Sequence, residues 1–334
     1  MYEIIYFLGP PECRDPIVVF GGDGEDRIDP QEVEVIWPGS VDVGFNNKFG
    51  YATIGNFDPL PIIPGEYVGS FMNSGVVLLN DTFIMTCGGG YSSGTNRCFG
   101  LDLVSGSWKT LASMIHPRTT SLVKVGNAVV AVGGGGTLAP TMEIYNSTLD
   151  QWTPKPEWNS PYSSFGHCSV AYGNKIMVIG GAHSLTIGKA MIFDFLTESW
   201  SWISIPNPRY HHGCLHTYIN GTEGVLVTGG EDFEDDSVKT SADFYQIETG
   251  SWFSLSLPDF RLPVRQHQMV EFEGQPAIIG GEYDIFTGGY KEIHKRSYVQ
   301  MYDQVSNMWN VVPLLEMNFK RSRFSAINTK LWSQ

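Results

Sequence analysis

The run His211-His212-Gly213-Cys214-Leu215-His216 gathers the side chains best suited to a transition metal. On a β-strand His212, Cys214 and His216 point to one face, and imidazole with thiolate is zinc-like chemistry. A fourth ligand is not evident, so no metal is assigned. The loop Glu231-Asp232-Phe233-Glu234-Asp235-Asp236 offers oxygen donors for calcium, but it lacks the ligand spacing of an EF-hand and reads as solvated charge. Cys87 and Cys98 flank a short hairpin that would bring them opposite each other, and a disulfide there is worth roughly 2 to 3 kcal/mol in the chain-entropy model. There is no Ser/His/Asp elbow, phosphate loop or nucleotide fingerprint: Gly133 to Gly136 leads into Thr137-Leu138-Ala139-Pro140, not into a helix with a lysine. No catalytic residue or cofactor is assigned.

The elements that hold these groups announce themselves by a repeat. Glycine doublets end apolar runs at Gly21-Gly22, Gly88-Gly89, Gly133-Gly134, Gly180-Gly181, Gly229-Gly230 and Gly280-Gly281, and from Gly88 onward they lie 45, 47, 49 and 51 residues apart. Behind five of them come Leu101 and Trp108, Tyr145 and Trp152, Phe193 and Trp200, Tyr245 and Trp252, and Tyr302 and Trp309, each pair seven residues apart. A period near 50 points to a propeller or an array. Each unit reads as four short strands, the second apolar on both faces and therefore mid-sheet: Ile17 to Phe20, Thr82 to Thr86, Ala128 to Val132, Lys175 to Ile179, Gly224 to Val227 and Ala277 to Ile279. Cys168 and Cys214 fall on first strands of neighbouring units and form a second candidate disulfide, leaving Cys13 over.

The doublet, the third-strand residue, the Trp seven later and the openings Pro117-Arg118, Pro208-Arg209-Tyr210-His211-His212 and Val264-Arg265-Gln266-His267 together resemble the kelch repeat family, from about Pro16 to Ile327. The resemblance implies an all-β, six-bladed propeller around a central channel. Blades would span about 16–61 plus 318–330, 62–113, 114–156, 157–206, 207–258 and 259–317, with 1–15 an edge strand or truncated leader. The first unit has no Trp in place, a third strand at Val33 to Trp37, and no first strand of its own. Lys320 to Ile327 matches a unit opening with no unit behind it, so it is expected to pair with Ile17 to Phe20 and close the ring.

Kelch propellers bind partner peptides through the loops around the channel, and the resemblance carries that role to the loops entering the first strands and those after the doublets. These supply Tyr67, Arg118, Thr119, Tyr162, Ser163, Arg209, Tyr210, His211, Arg265, Gln266, Arg321, Ser322 and Arg323, and then Asp23, Tyr91, His183, Glu231 and Glu282. The first Arg of each set reads equally well as structural, paired with acidic neighbours. A basic ring receiving an acidic or polar peptide is expected, with the acidic loops acting from the rim. Replacing Arg265 and Arg323 together by alanine should then weaken binding and leave the fold intact. The function expected is a monomeric, non-enzymatic protein-binding module. The alternative is a sugar-active enzyme resembling sialic acid mutarotase or galactose oxidase, whose copper ligand set has no counterpart here.

At 334 residues, with 42% hydrophobic and 13% aromatic residues, the chain can bury an extensive core. A formal net charge of -14 disfavours nucleic acid, and no stretch reaches the roughly 18 to 20 apolar residues of a helical membrane span. Sequons at Asn80, Asn146 and Asn220 fall in turns. With the cysteines they point to a secreted or extracellular protein, a cytoplasmic one being the alternative.

Overall fold

The computed structural model describes residues 17–20, 23–24, 33–37, 51–54, 72–90, 94–135, 142–156, 165–182, 187–253, 263–272, 274–287, 290–317 and 320–329. Within them the chain is an all-β propeller. Near its start lie β1 (Ile17–Phe20), β2 (Asp23–Gly24), β3 (Val33–Trp37) and β4 (Tyr51–Ile54). Four regular sheets follow: β5 (Ser74–Asn80) to β6 (Phe83–Gly88), β7 (Cys98–Asp102) and β8 (Trp108–Leu111); β9 (Thr119–Val125), β10 (Ala128–Gly135), β11 (Glu143–Asn146) and β12 (Gln151–Pro154); β13 (Cys168–Tyr172), β14 (Lys175–Ile179), β15 (Lys189–Asp194) and β16 (Ser199–Ser204); β17 (Gly213–Ile219), β18 (Thr222–Thr228), β19 (Ala242–Gln246) and β20 (Ser251–Phe253). A fifth joins β21 (Gln268–Phe272) and β22 (Gln275–Ile279) to β25 (Tyr298–Asp303) and β26 (Met308–Glu316). The inserted β23 (Glu282–Thr287) and β24 (Tyr290–Lys295) pair with each other, and Glu282 also bridges to Arg265.

These five sheets each come from one stretch of chain, and in each the apolar second strand lies between the first and the third. A further four-stranded sheet is composite. The late strand β28 (Ser325–Asn328) pairs antiparallel with β1, from Ile17 opposite Asn328 to Phe20 opposite Ser325, ahead of β3 and β4, while β27 (Arg321–Ser322) pairs with β2. The first strands β5, β9, β13, β17 and β21 neighbour one another in that order, and β28 touches both β21 and β5.

Strands apolar on both faces are what such stacking needs. Ile17 and Val19 pack with Val270, Ala277, Ile279 and Val299, whereas Val18, pointing the other way, packs with Ile84 and Leu101. Val130 and Val132 likewise meet Ile176, Val178 and Phe193 of the following sheet. Each such side chain, fully withdrawn from water, contributes about 1.5 to 3 kcal/mol. The seven-residue spacing has a plain cause: it is the span of the hairpin joining third and fourth strands. Tyr145 stands opposite Trp152, Phe193 opposite Trp200, Tyr245 opposite Trp252 and Tyr302 opposite Trp309, with rings 5.2, 5.2, 5.4 and 5.4 Å apart. Trp152 also donates its Nε1-H to the carbonyl of Ala112 in the preceding sheet, 3.0 Å away.

The doublets serve two different contacts. A Cβ on Gly229 would lie 2.9 Å from the His267 ring of the next sheet and 2.2 Å from the Val264 carbonyl. One on Gly230 would lie 2.8 Å from the Cβ of His212 in its own sheet. With φ of 56° and 89° both positions also lie where other residues are strained. Gly133 meets His167, and Gly180 meets His212, in the same inter-sheet manner. The doublet Gly21-Gly22 lies outside the described residues.

Candidate functional site at the channel mouth

The first strands enclose a central cavity of about 900 Å³. At its mouth Asn73, His211, Gln266 and Arg323 have φ of 58°, 52°, 53° and 56°, and Gly166 has 66°. Their backbones are linked sheet to sheet: His211 N-H donates to Gly166 O (2.7 Å), Gln266 to His211 (2.8 Å), Arg323 to Gln266 (3.0 Å) and Asn73 to Arg323 (2.8 Å). This belt, whose members precede β5, β13, β17, β21 and β28, lies at the cavity, where Gln266, His211 and Arg323 are partly exposed. Their side chains touch as well. Arg323 Nε donates to Gln266 Oε1, and Gln266 Nε2 lies 3.5 Å from His211 Nδ1.

The residue one or two places earlier has the opposite fate. Arg118 is fully buried, with NH2 2.6 Å from Glu143 Oε1 and NH1 on the Gly133 carbonyl. Arg209 binds Asp243 and the carbonyls of Gly229 and Ser241. Arg265 holds Glu282 (3.0 Å), Glu231 (3.1 Å) and Asp284 (2.7 Å) at once. Burial lowers the Arg118 pKa, whereas for Arg265 three carboxylates outweigh burial and raise it. The expected basic ring is therefore corrected: the guanidinium groups of Arg118, Arg209 and Arg265 are neutralised inside the protein, and Arg265→Ala would remove the one cation shared by Glu231, Glu282 and Asp284. Glu231 and Glu282, expected on the rim, are buried counter-ions, and Ser322, also buried, donates to Glu282 Oε2 at 2.8 Å.

Of the remaining expected contacts, Thr119, Tyr210, His211, Gln266 and Arg323 are partly exposed. Tyr210 donates to Asp236 Oδ1 (2.8 Å), and Glu231 Oε1 accepts from His211 Nδ1 (2.7 Å). Burial and these acidic partners push the Tyr210 hydroxyl pKa well up. Arg321 has a described backbone in β27, as Asp23 has in β2. Tyr67, Tyr91, Tyr162, Ser163 and His183 lie outside the described residues, as do Cys13 and segment 1–15. Sequence reasoning missed Phe165 and Phe233, 50% and 44% exposed beside this face. Their exposure follows from loop geometry and leaves no mark in the repeat.

The histidine-rich strand is dispersed among separate tasks. Cys214 is joined to Cys168 by a disulfide, His216 Nε2 lies 2.9 Å from Glu223 Oε1, and His212 is packed beneath Gly180. No group of three or more His, Cys, Asp or Glu placed to hold a metal ion occurs among the described residues. Burial, before the charge of Arg209, lowers the His212 pKa far below its usual value, and burial takes His267 to about 3. Cys87 and Cys98, directly opposed on β6 and β7, form the other disulfide.

No protein-family model matches the chain. It is similar to protein tag-53 of Caenorhabditis elegans, 23% identical over 76% of this chain and 21% of that protein. Human Kelch-like protein 23 is 25% identical over 72% of this chain and 40% of its own length, and human Kelch-like protein 15 is 24% identical over 64% and 37%. The chain is a β-propeller similar to Kelch-like proteins, consistent with the kelch repeat family. It spans two fifths or less of the length of these relatives. The buried arginines and the doublet glycines recur from unit to unit, while the residues after the arginines, Thr119, Tyr210 and Gln266, differ.

Proposed function

We propose that this chain is a non-enzymatic protein-interaction module whose binding face is the channel mouth, with Thr119, Tyr210, His211, Gln266 and Arg323 as contact residues. One observation carries the reading. The backbone belt holds His211, Gln266 and Arg323 in left-handed conformations with their side chains partly exposed at one cavity, next to neighbours that are wholly engaged in the fold. Non-glycine residues in that region cost free energy and persist where surrounding structure imposes them. Relatives that carry the Kelch-like name support a partner-binding role.

The test uses two folded baits, wild type and Gln266→Asn/Arg323→Asn, because asparagine tolerates positive φ. Partners captured by the first and lost by the second, identified by quantitative mass spectrometry, support the face. Equal capture by both, with loss on Trp202→Ala/Phe253→Ala at the outer strands, moves the site elsewhere.

The propeller is proposed to be a six-bladed ring in which the composite sheet is the sixth blade. Removing residues 318–334 should then lower the melting temperature steeply, and unchanged melting would contradict the closure. A secreted or extracellular location is proposed from the two disulfides and from exposed Asn80, Asn146 and Asn220. Glycosidase treatment of protein from a eukaryotic host should reduce its mass. No mass change, with alkylatable Cys87, would refute it.

A further inference from the structure

The channel mouth is uneven in charge and chemistry. On one side Phe165, His211, Tyr210 and Phe233 form a continuous aromatic row, with ring centres 6.2, 4.8 and 6.4 Å apart in that order. Phe165 and Phe233, the two ends, are half-exposed. The turn carrying Phe233 also carries Asp232, Glu234, Asp235 and Asp236. Lys239 neutralises Asp232, and no cation is paired with Glu234 or Asp235 among the described residues.

We propose that this side of the mouth takes a lysine- or arginine-bearing peptide segment. The cation would lie over the aromatic row, with the Glu234 and Asp235 carboxylates drawing it in. This rests on the channel-mouth reading and reverses the charge expected of its ligand. Charge complementarity is the reason: the arginines that would have attracted an acidic peptide are already saturated by carboxylates, and the charge left over on this side is negative. Arg323, on the far side of the belt, is the remaining cation there, with no carboxylate in ion-pair range among the described residues.

The test is fluorescence anisotropy of the intact chain against two pools of labelled decapeptides, one with Lys and Arg at fixed positions, one with Asp and Glu. Saturable binding of the cationic pool is expected. It should weaken about tenfold in Phe165→Ala/Phe233→Ala, and severalfold in Glu234→Gln/Asp235→Asn or when salt rises from 50 to 500 mM. Trp202→Ala/Phe253→Ala, at exposed positions on the outer strands, should leave it unchanged. All of these substitutions are at exposed or partly exposed side chains, and melting temperatures confirm that the variants fold. Preferential binding of the acidic pool, lost in Arg323→Asn, would overturn the cationic ligand while keeping the mouth as the site. Cationic binding that survives all the aromatic and acidic variants would place it off this face and overturn both.

Discussion

Arg265 and Gln266 are neighbours in the chain and inhabit different regions of the molecule. Arg265 is 3% exposed and bound by three carboxylates; Gln266, at φ 53°, faces the channel and touches His211 and Arg323. The same division separates Arg209 from Tyr210 and His211. These units therefore place a buried ion pair and a partly exposed residue side by side, and the peptide geometry of the belt keeps them apart. A buried guanidinium with its carboxylates is removed only at the cost of uncompensated charge, while a residue at the mouth changes what is bound.

The two regions can be set apart by substitution, beginning on the side of the fold. Gly229→Val should cost roughly 3 kcal/mol or more, since the new side chain meets the Val264 carbonyl and the His267 ring and must hold a positive φ. Urea unfolding measures it, and a midpoint like that of wild type would show that the doublet has slack. Replacing Cys168 and Cys214 by serine opens a link between first strands of adjacent sheets, 46 residues apart in sequence, and should cost about 2 to 4 kcal/mol. Ligand binding measured below the new unfolding midpoint should persist.

Acid should act on the same inter-sheet contacts. His212 and His267 have folded-state pKa values below their unfolded ones, so the unfolded chain takes up protons first. Stability is full above about pH 6.5 and declines as pH falls from there towards about 3, the folded-state value of His267. In His267→Gln the decline between pH 6 and 4 should be shallower; an identical slope would mean that other groups set it. The smallest effect on stability is expected at the mouth, where Arg323→Asn should move the melting temperature by no more than about 2 °C.

Much of the architecture was legible before any coordinates. The apolar second strands, the Tyr145 to Trp152 type of pair and both disulfides follow from period, spacing and strand order, because each is a short-range consequence of hairpin geometry. Strand limits differ by a few residues, as with β18, which begins at Thr222 where Gly224 was expected, since backbone pairing continues past the point where side chains become polar. The charge of the mouth was not legible. Sequence shows that Arg118 and Arg265 recur; it does not show that Glu143, Glu231, Glu282 and Asp284 come from other strands to meet them. Nor does it place Phe165 beside His211, a contact made between loops of two units.

The division between neighbouring residues is tested most directly by the melting temperatures of Arg265→Ala and Gln266→Asn measured side by side. Losing the buried cation shared by Glu231, Glu282 and Asp284 should cost about 3 to 5 kcal/mol and lower the melting temperature by roughly 5 °C or more, while Gln266→Asn should melt within about 2 °C of wild type. Equal melting of the two variants would contradict the account.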